Sequence, residues 1–167
     1  MKYVLVQNGV VVQVQYTFET GFIAAPDDVY AGYLYSDGVF SPPPPPPIEP
    51  YQVDMERDRR LGIGFMFNGK LIDSSDSSRA SITEFATLAF MAKLNGAATG
   101  SYRWGNPDND FTWITADNSL MPLDANGMVS LSIAASSNKS NLVLSARALK
   151  AMSTIPQDYT SDKWWTA

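Results

Sequence analysis

The chain reads as an α+β protein in two parts joined by a proline segment, and three observations carry that reading. Six consecutive prolines, Pro42 to Pro47, divide the sequence. Short apolar runs broken by Asn-Gly or Asp-Gly pairs recur on both sides of them. Two long stretches with helix cap and stop signals occur only after them. The expected layout is a small β-hairpin module over 1–41 and a polyproline II spacer over 42–50. An α+β domain over 51–155, with two main helices (one long) and two β-hairpins, and a tail over 156–167 complete it.

In the first module, Tyr3–Gln7 and Val10–Tyr16 flank Asn8-Gly9, which suits a type I′ turn because both central residues take positive φ. Tyr33–Tyr35 and Val39-Phe40 bracket Ser36-Asp37-Gly38, a second turn signal. Two hairpins of this size bury little, so the module is expected to need a partner surface. Tyr16, Tyr33, Tyr35 and Phe40 are its candidate interface residues, since a rigid ring with a polar tip suits a contact. Strand propensity accounts for the same tyrosines equally well.

Proline fixes φ and lacks an amide donor, so the six prolines belong to neither helix nor sheet interior. At ~3.1 Å per residue they span roughly 19 Å. The nearest charges, Asp37 and Glu49, are acidic. A ligand for a proline-binding groove would want a basic neighbour, so the spacer reading stands.

Beyond the spacer, Met55–Leu61 predicts a short charged helix ended by Gly62 and Gly64. Phe65–Phe67 and Lys70–Ile72 flank Asn68-Gly69, another type I′ hairpin signal. The polar run Asp73–Ser78 offers N-caps for a helix over Arg79–Leu94, which Asn95-Gly96 stops. Its Ile82, Phe85, Leu88, Ala89, Met91 and Ala92 leave little polar face, so burial on several sides is expected. Phe111–Thr115 predicts a strand that turns at Asp117-Asn118 and returns through Ser119–Met121. Asp124 then stands as the N-cap of a long helix to about Met152, about 28 residues or ~42 Å. Serines and asparagines crowd its middle turns, either as a solvated face or as a pairing seam between subunits. Trp164-Trp165 is costly unless docked, on a neighbouring subunit or on the chain's own core.

Composition excludes much chemistry. There is no histidine and no cysteine, so the commonest general base, thiolate nucleophiles, disulfides and thiolate zinc sites are all absent. The net charge of −5 argues against a duplex-binding face, and no nucleic-acid partner is expected. No leader pattern opens the sequence, and no apolar run reaches the ~18 residues of a spanning helix. Neither a dinucleotide loop nor a phosphate loop is present, and Ser136-Ser137-Asn138-Lys139 matches a serine–lysine spacing only inside a serine-rich helix. Asp108 and Asp110 are weak candidates for metal or glycan chemistry, lacking the glycine and distant glutamate of a calcium loop. No cofactor is expected.

Several ordered motifs are familiar as a set. They are R-D-R-R at Arg57 to Arg60, G-F-M-F-N-G at Gly64 to Gly69, Ser78-Arg79, F-T-W-I-T-A-D-N at Phe111 to Asn118, P-L-D at Pro122 to Asp124, and A-R-A-L-K at Ala146 to Lys150. Together they resemble an uncharacterised domain of phage and prophage proteins encoded beside tail-fibre genes or forming part of fibre proteins. The resemblance covers residues 55–153. The first 41 residues are similar to a small module of tail-fibre accessory proteins. The resemblance implies a non-enzymatic tail protein of the virion, made in the host cytoplasm, whose partners are tail-fibre or baseplate proteins. A fibre assembly chaperone is the alternative, and host-glycan binding a distant third. A homo-oligomer is implied, a trimer by analogy with fibre symmetry.

No catalytic residue carries over from that family. The shared positions Arg57, Arg60, Phe65, Phe67, Asn68, Gly69, Arg79, Phe111, Trp113, Asp117, Asn118, Asp124 and Arg147 are expected to serve the fold. Asn68-Gly69 and Asp117-Asn118 turn hairpins and Asp124 caps a helix. Arg79 and Arg147 are expected to pair with carboxylates or carbonyls. The small module holds −3 of the charge (Lys2 against Glu19, Asp27, Asp28 and Asp37), so a partner with a basic face is expected there.

Overall fold

The computed structural model describes residues 1–166. It divides into two compact units, Met1–Pro46 and the chain from Pro47 onward.

The first unit is a five-stranded antiparallel sheet of β1 (Lys2–Gln7), β2 (Val10–Gln15), β3 (Phe22–Ala25), β4 (Leu34–Ser36) and β5 (Val39–Ser41), in the order β3-β1-β2-β4-β5. Both foreseen turns form with positive φ at Asn8-Gly9 and Asp37-Gly38. The strand β3 was not foreseen. It pairs with β1 from Lys2↔Ala25 to Leu5↔Phe22, so β1 has a neighbour on each side and Val4 is fully buried. Val4, Val11 and Val29 form the core, rimmed by Val6, Val14, Ile23, Tyr33 and Phe40.

Lys2 is buried in this unit. Its ammonium donates to the carbonyls of Val29 (2.9 Å) and Asp27 and lies 4.4 Å from the Tyr30 ring centroid. A buried cation must be solvated by something, and these dipoles replace its water. The lysine thereby fastens the turn after β3 over the sheet.

The second unit contains α1 (Pro50–Ile63), the hairpin β6 (Phe65–Phe67) and β7 (Lys70–Ile72), α2 (Asp76–Leu94), the hairpin β8 (Thr112–Ile114) and β9 (Leu120–Pro122), and α3 (Ala125–Lys150). A 3-10 turn follows at Asp162–Trp164. The first helix is twice as long as its charged core suggested and starts within the expected spacer. Pro50 occupies a first-turn position, where its fixed φ helps and its missing N–H costs nothing. The Glu49 N–H donates to Gln52 Oε1 at 2.8 Å, satisfying one exposed donor of the helix start.

One side of α3 organises everything else in this unit. Met128 and Leu131 meet Ile82 and Ala89 of α2 together with Phe65, Ile72, Trp113 and Met121 of the hairpins. Further along, Leu142, Ala146 and Leu149 meet Val53 of α1 and then Ile155 and Trp165. The last segment therefore belongs to the core of this unit and is no separate tail. The expectation for α2 also needs correcting, because Leu88, Phe90, Met91 and Leu94 are exposed. The helix packs against α3 and, through Phe85, against Phe111 and Trp113, while no described residue covers the rest of its circumference.

Two glycines test the backbone argument. Gly64 ends α1 with φ +97°, and a Cβ there would sit 2.1 Å from the Ile72 carbonyl oxygen. Gly62 lies inside α1 with open space at its Cβ position. Gly64→Ala should therefore lower the stability of the second unit by more than about 2 kcal/mol. Gly62→Ala should raise it by about 0.5–1 kcal/mol. All four tryptophans lie in this unit, so tryptophan fluorescence during urea unfolding reads both changes.

Candidate functional site

The densest array of charges lies along α1. Its sequence D-M-E-R-D-R-R places Asp54, Arg57 and Asp58 on one side of the helix and Glu56, Arg59 and Arg60 on another. Asp54 Oδ1 accepts from Arg57 (2.7 Å) and from Lys150 at the end of α3 (2.6 Å), so one carboxylate ties the two helices together. Asp58 completes the Arg57 pair at 2.8 Å.

Glu56 is buried. Both its oxygens accept from Arg59 at 2.6 Å, and Arg60 Nε adds a third bond at 2.8 Å. The Arg59 bonds, joined by Arg60, hold its carboxyl below the ordinary range although burial pulls the other way. Arg60 reaches on to the Thr160 carbonyl and Asp162, both at 2.8 Å, and its guanidinium lies 5.0 Å from the Trp165 ring centroid. Trp165 is itself buried and donates Nε1–H to the Tyr159 carbonyl at 2.8 Å. The R-D-R-R motif is thus a clasp that fastens residues 159–165 onto α1. Half-buried Trp164 turns outward, donates to Asp158 at 3.1 Å and lies 5.0 Å from the Lys163 ammonium. Of the two dockings open to the tryptophan pair, both residues take the chain's own core, Trp165 within it and Trp164 packed against its rim.

The other motif positions are used similarly. Asn68-Gly69 turns β6 into β7 with positive φ at both residues. Phe65 is buried in the core of this unit, and Phe67 packs against it. Asp117 accepts from Thr115, from the Ser119 N–H at 3.1 Å and from Lys70 at 3.4 Å, and Asn118 follows it with φ +61°. Those donors, Thr115 foremost, push the Asp117 carboxyl far down. Asp124 caps α3 by accepting from the Gly127 N–H and also accepts from the Gly100 N–H, each at 2.7 Å. Arg79 donates to the Ser74 carbonyl and to Asp76 at the start of α2. Arg147 is expected to pair, yet its side chain is exposed and makes no ion pair or hydrogen bond among the described residues, while its backbone carbonyl accepts from the Ala151 N–H at 3.0 Å.

Phe111 packs, with its ring tilted, between Phe85 (5.1 Å between centroids) and Trp104 (4.6 Å), and Trp113 meets the same Phe85 edge-on at 6.3 Å. These rings floor a groove of about 330 Å³ rimmed by Ser77, Ser81 and Thr112, and none of its lining residues is ionisable. Asp108 and Asp110 are exposed; the Asp108 N–H donates to Asn106 Oδ1 (2.9 Å), and Asp110 pairs with Arg103 at 2.8 Å. No group of three potential metal ligands converges among the described residues. No helix of the described chain is long and apolar enough to cross a membrane.

In the first unit, Tyr33, Tyr35 and Phe40 are half-buried, with Tyr35 and Phe40 in ring contact at 4.7 Å. Tyr16 is exposed, as are Tyr30 and Phe18. On α3, Ser130, Ser136, Ser137, Ser140 and Asn141 are exposed. Ser145 faces inward instead, its hydroxyl without a hydrogen-bond partner.

With this geometry in place, the family can be assigned. The family model for a domain of unknown function, DUF4376, matches residues 50–162. The chain belongs to that family. The DUF4376 match starts at Pro50, the first residue of α1, and ends at Asp162, the carboxylate that receives Arg60. It therefore includes Glu56, Arg60, Thr160 and Asp162 of the clasp, and Trp165 lies just beyond it. No curated protein and no solved structure matches the chain.

The clasp gives this DUF4376 domain a defined response to acid. Glu56, Asp73 and Asp124 all have lowered carboxyl values. Such groups stabilise the fold above their unfolded values, about 4, and that stabilisation is lost as pH falls through the folded ones. The urea midpoint read by tryptophan fluorescence should be flat between roughly pH 5 and 8 and fall below roughly pH 4.5. Glu56→Gln should cost about 1–3 kcal/mol at neutral pH, because it removes the charged acceptor of the Arg59 and Arg60 bonds, and should make the acid limb shallower.

Proposed function

We propose that the chain is a non-enzymatic structural component of a bacteriophage tail, associated with the tail fibre or baseplate. It acts through oligomeric and fibre-binding contacts. The observation that carries this reading is the apolar end of α2, where Leu88, Phe90, Met91 and Leu94 stand exposed within two turns. Large side chains gathered in this way are the signature of a contact surface. The motif residues support it from the other direction, since those making polar contacts use them for turns, caps and the clasp. A stiff proline spacer suits a permanent assembly more than a transient holder.

Mass spectrometry of purified particles from the encoding phage or prophage tests the proposal. A resident tail protein should be recovered in stoichiometric copies with the fibre or baseplate proteins. A protein that is absent from particles but raises the soluble yield of co-expressed fibre is an assembly chaperone, and that outcome overturns the structural role.

A further inference from the structure

Charge is unevenly distributed along this chain, and the unevenness pairs two of its own surfaces. In the first unit Glu19, Asp27, Asp28 and Asp37 form no ion pair among the described residues, and the one basic side chain, Lys2, is turned inward onto carbonyls. The unit therefore presents carboxylates without basic side chains at its surface. Asp37 sits at the sheet end that carries the Asn8-Gly9 turn, near enough for the Tyr35 N–H to bond the Gly9 carbonyl at 2.7 Å. Glu19, Asp27 and Asp28 lie in the connections on either side of β3. The same connections hold the exposed rings of Tyr16, Phe18 and Tyr30, at 75%, 64% and 60% exposure.

In the second unit most cations are consumed. Arg57, Arg59, Arg60, Lys70, Arg79, Arg103, Lys150 and Lys163 all sit in ion pairs. Lys93 acts on Asp124 through space. Lys139 and Arg147 remain, exposed on α3, a helix that contains no acidic residue. Four-residue steps place Lys139, Val143 and Arg147 on one ridge, with Val143 also exposed at 42%. The ridge begins at a groove of about 300 Å³ between α2 and α3, lined by Lys139 with Ser132, Ser136 and Thr83.

We infer that the Lys139–Val143–Arg147 ridge of α3 receives the acidic, aromatic edge of the N-terminal unit of a second copy of the chain. The match is of charge and of surface type. Two uncompensated cations flanking an aliphatic side chain meet uncompensated carboxylates beside exposed rings. The same charges disfavour the ridge against itself, since face-to-face pairing would oppose Lys139 and Arg147 to their own copies. The contact is heterologous, so it closes only when each copy both gives a unit and receives one. This inference is independent of the tail assignment.

The test is the oligomeric state of the full-length protein by multi-angle light scattering and sedimentation. The wild type should be a closed homo-oligomer whose dissociation constant rises at least ~10-fold between ~0.05 and ~0.5 M salt. Lys139→Glu with Arg147→Glu, and separately Glu19→Lys with Asp28→Lys, should each weaken association by ~10-fold or more. All four together should restore it to within a few-fold. Asp27 is left unchanged because its carbonyl holds Lys2. The altered side chains are exposed, and circular dichroism checks that each variant is folded. A monomeric wild type, an oligomer indifferent to both charge reversals, or a failure of the fourfold variant to recover would each overturn the inference.

Discussion

The larger unit depends on a geometric demand made by α3. This helix of 26 residues, ~39 Å long, carries a stripe that is buried toward both ends, at Ala125–Leu131 and Leu142–Leu149, and only partly covered between them. No single element of the fold covers that distance. The stripe is therefore shared, with α2 and both hairpins over Met128 and Leu131, and α1 with residues 155–165 over Leu142, Ala146 and Leu149. Two core clusters result where one compact core would be ordinary. Each needs its own closure. The first closes with a row of tilted aromatic rings, Trp104, Phe111 and Phe85. The second has few rings and closes with the Glu56–Arg60–Trp165 clasp.

That division explains why so much charge is gathered on α1. A buried carboxylate adds little net stability compared with a well-packed apolar residue, because desolvation offsets most of the attraction. It does impose direction. Glu56 is satisfied only with both arginines in place, and Arg60 is fully used only with residues 160–165 folded back. Asp54 adds a second condition by accepting from α1 and α3 at once. The two carboxylates thus set the register of α1 on α3 and the path of the last segment together. Aliphatic packing alone would leave both free to slide.

What could be read from the sequence follows from the range of the forces involved. The Asn8-Gly9, Asp37-Gly38 and Asn68-Gly69 turns and the Asp124 cap were legible because a residue or two decides each of them. The α+β class followed from such local signals in sum. Strand β3 was not legible, since Phe22-Ile23-Ala24-Ala25 has no alternation and gains its identity from pairing with β1. The first turn of α1 was hidden behind a proline that acts there as a helix start. The composition of α2 announced burial, but composition cannot say whether the covering surface lies within the same chain. The tryptophan pair was recognised as needing a dock, whereas its acceptor, Arg60, lies about a hundred residues earlier and had no local mark.

The same reasoning bears on the carboxylates, the only acid–base groups in quantity here. Those whose proton affinity departs from the ordinary value, Glu56, Asp58, Asp73, Asp117, Asp124 and Asp158, all move down. In each case the cause is a donor already bound, an arginine, a lysine, a hydroxyl or a backbone N–H. These groups are fixed anions whose acceptor positions order turns, caps and a closing segment. Side chains left over from that ordering are the informative ones. On α3 they are two cations beside an exposed valine, and on α2 four large apolar side chains.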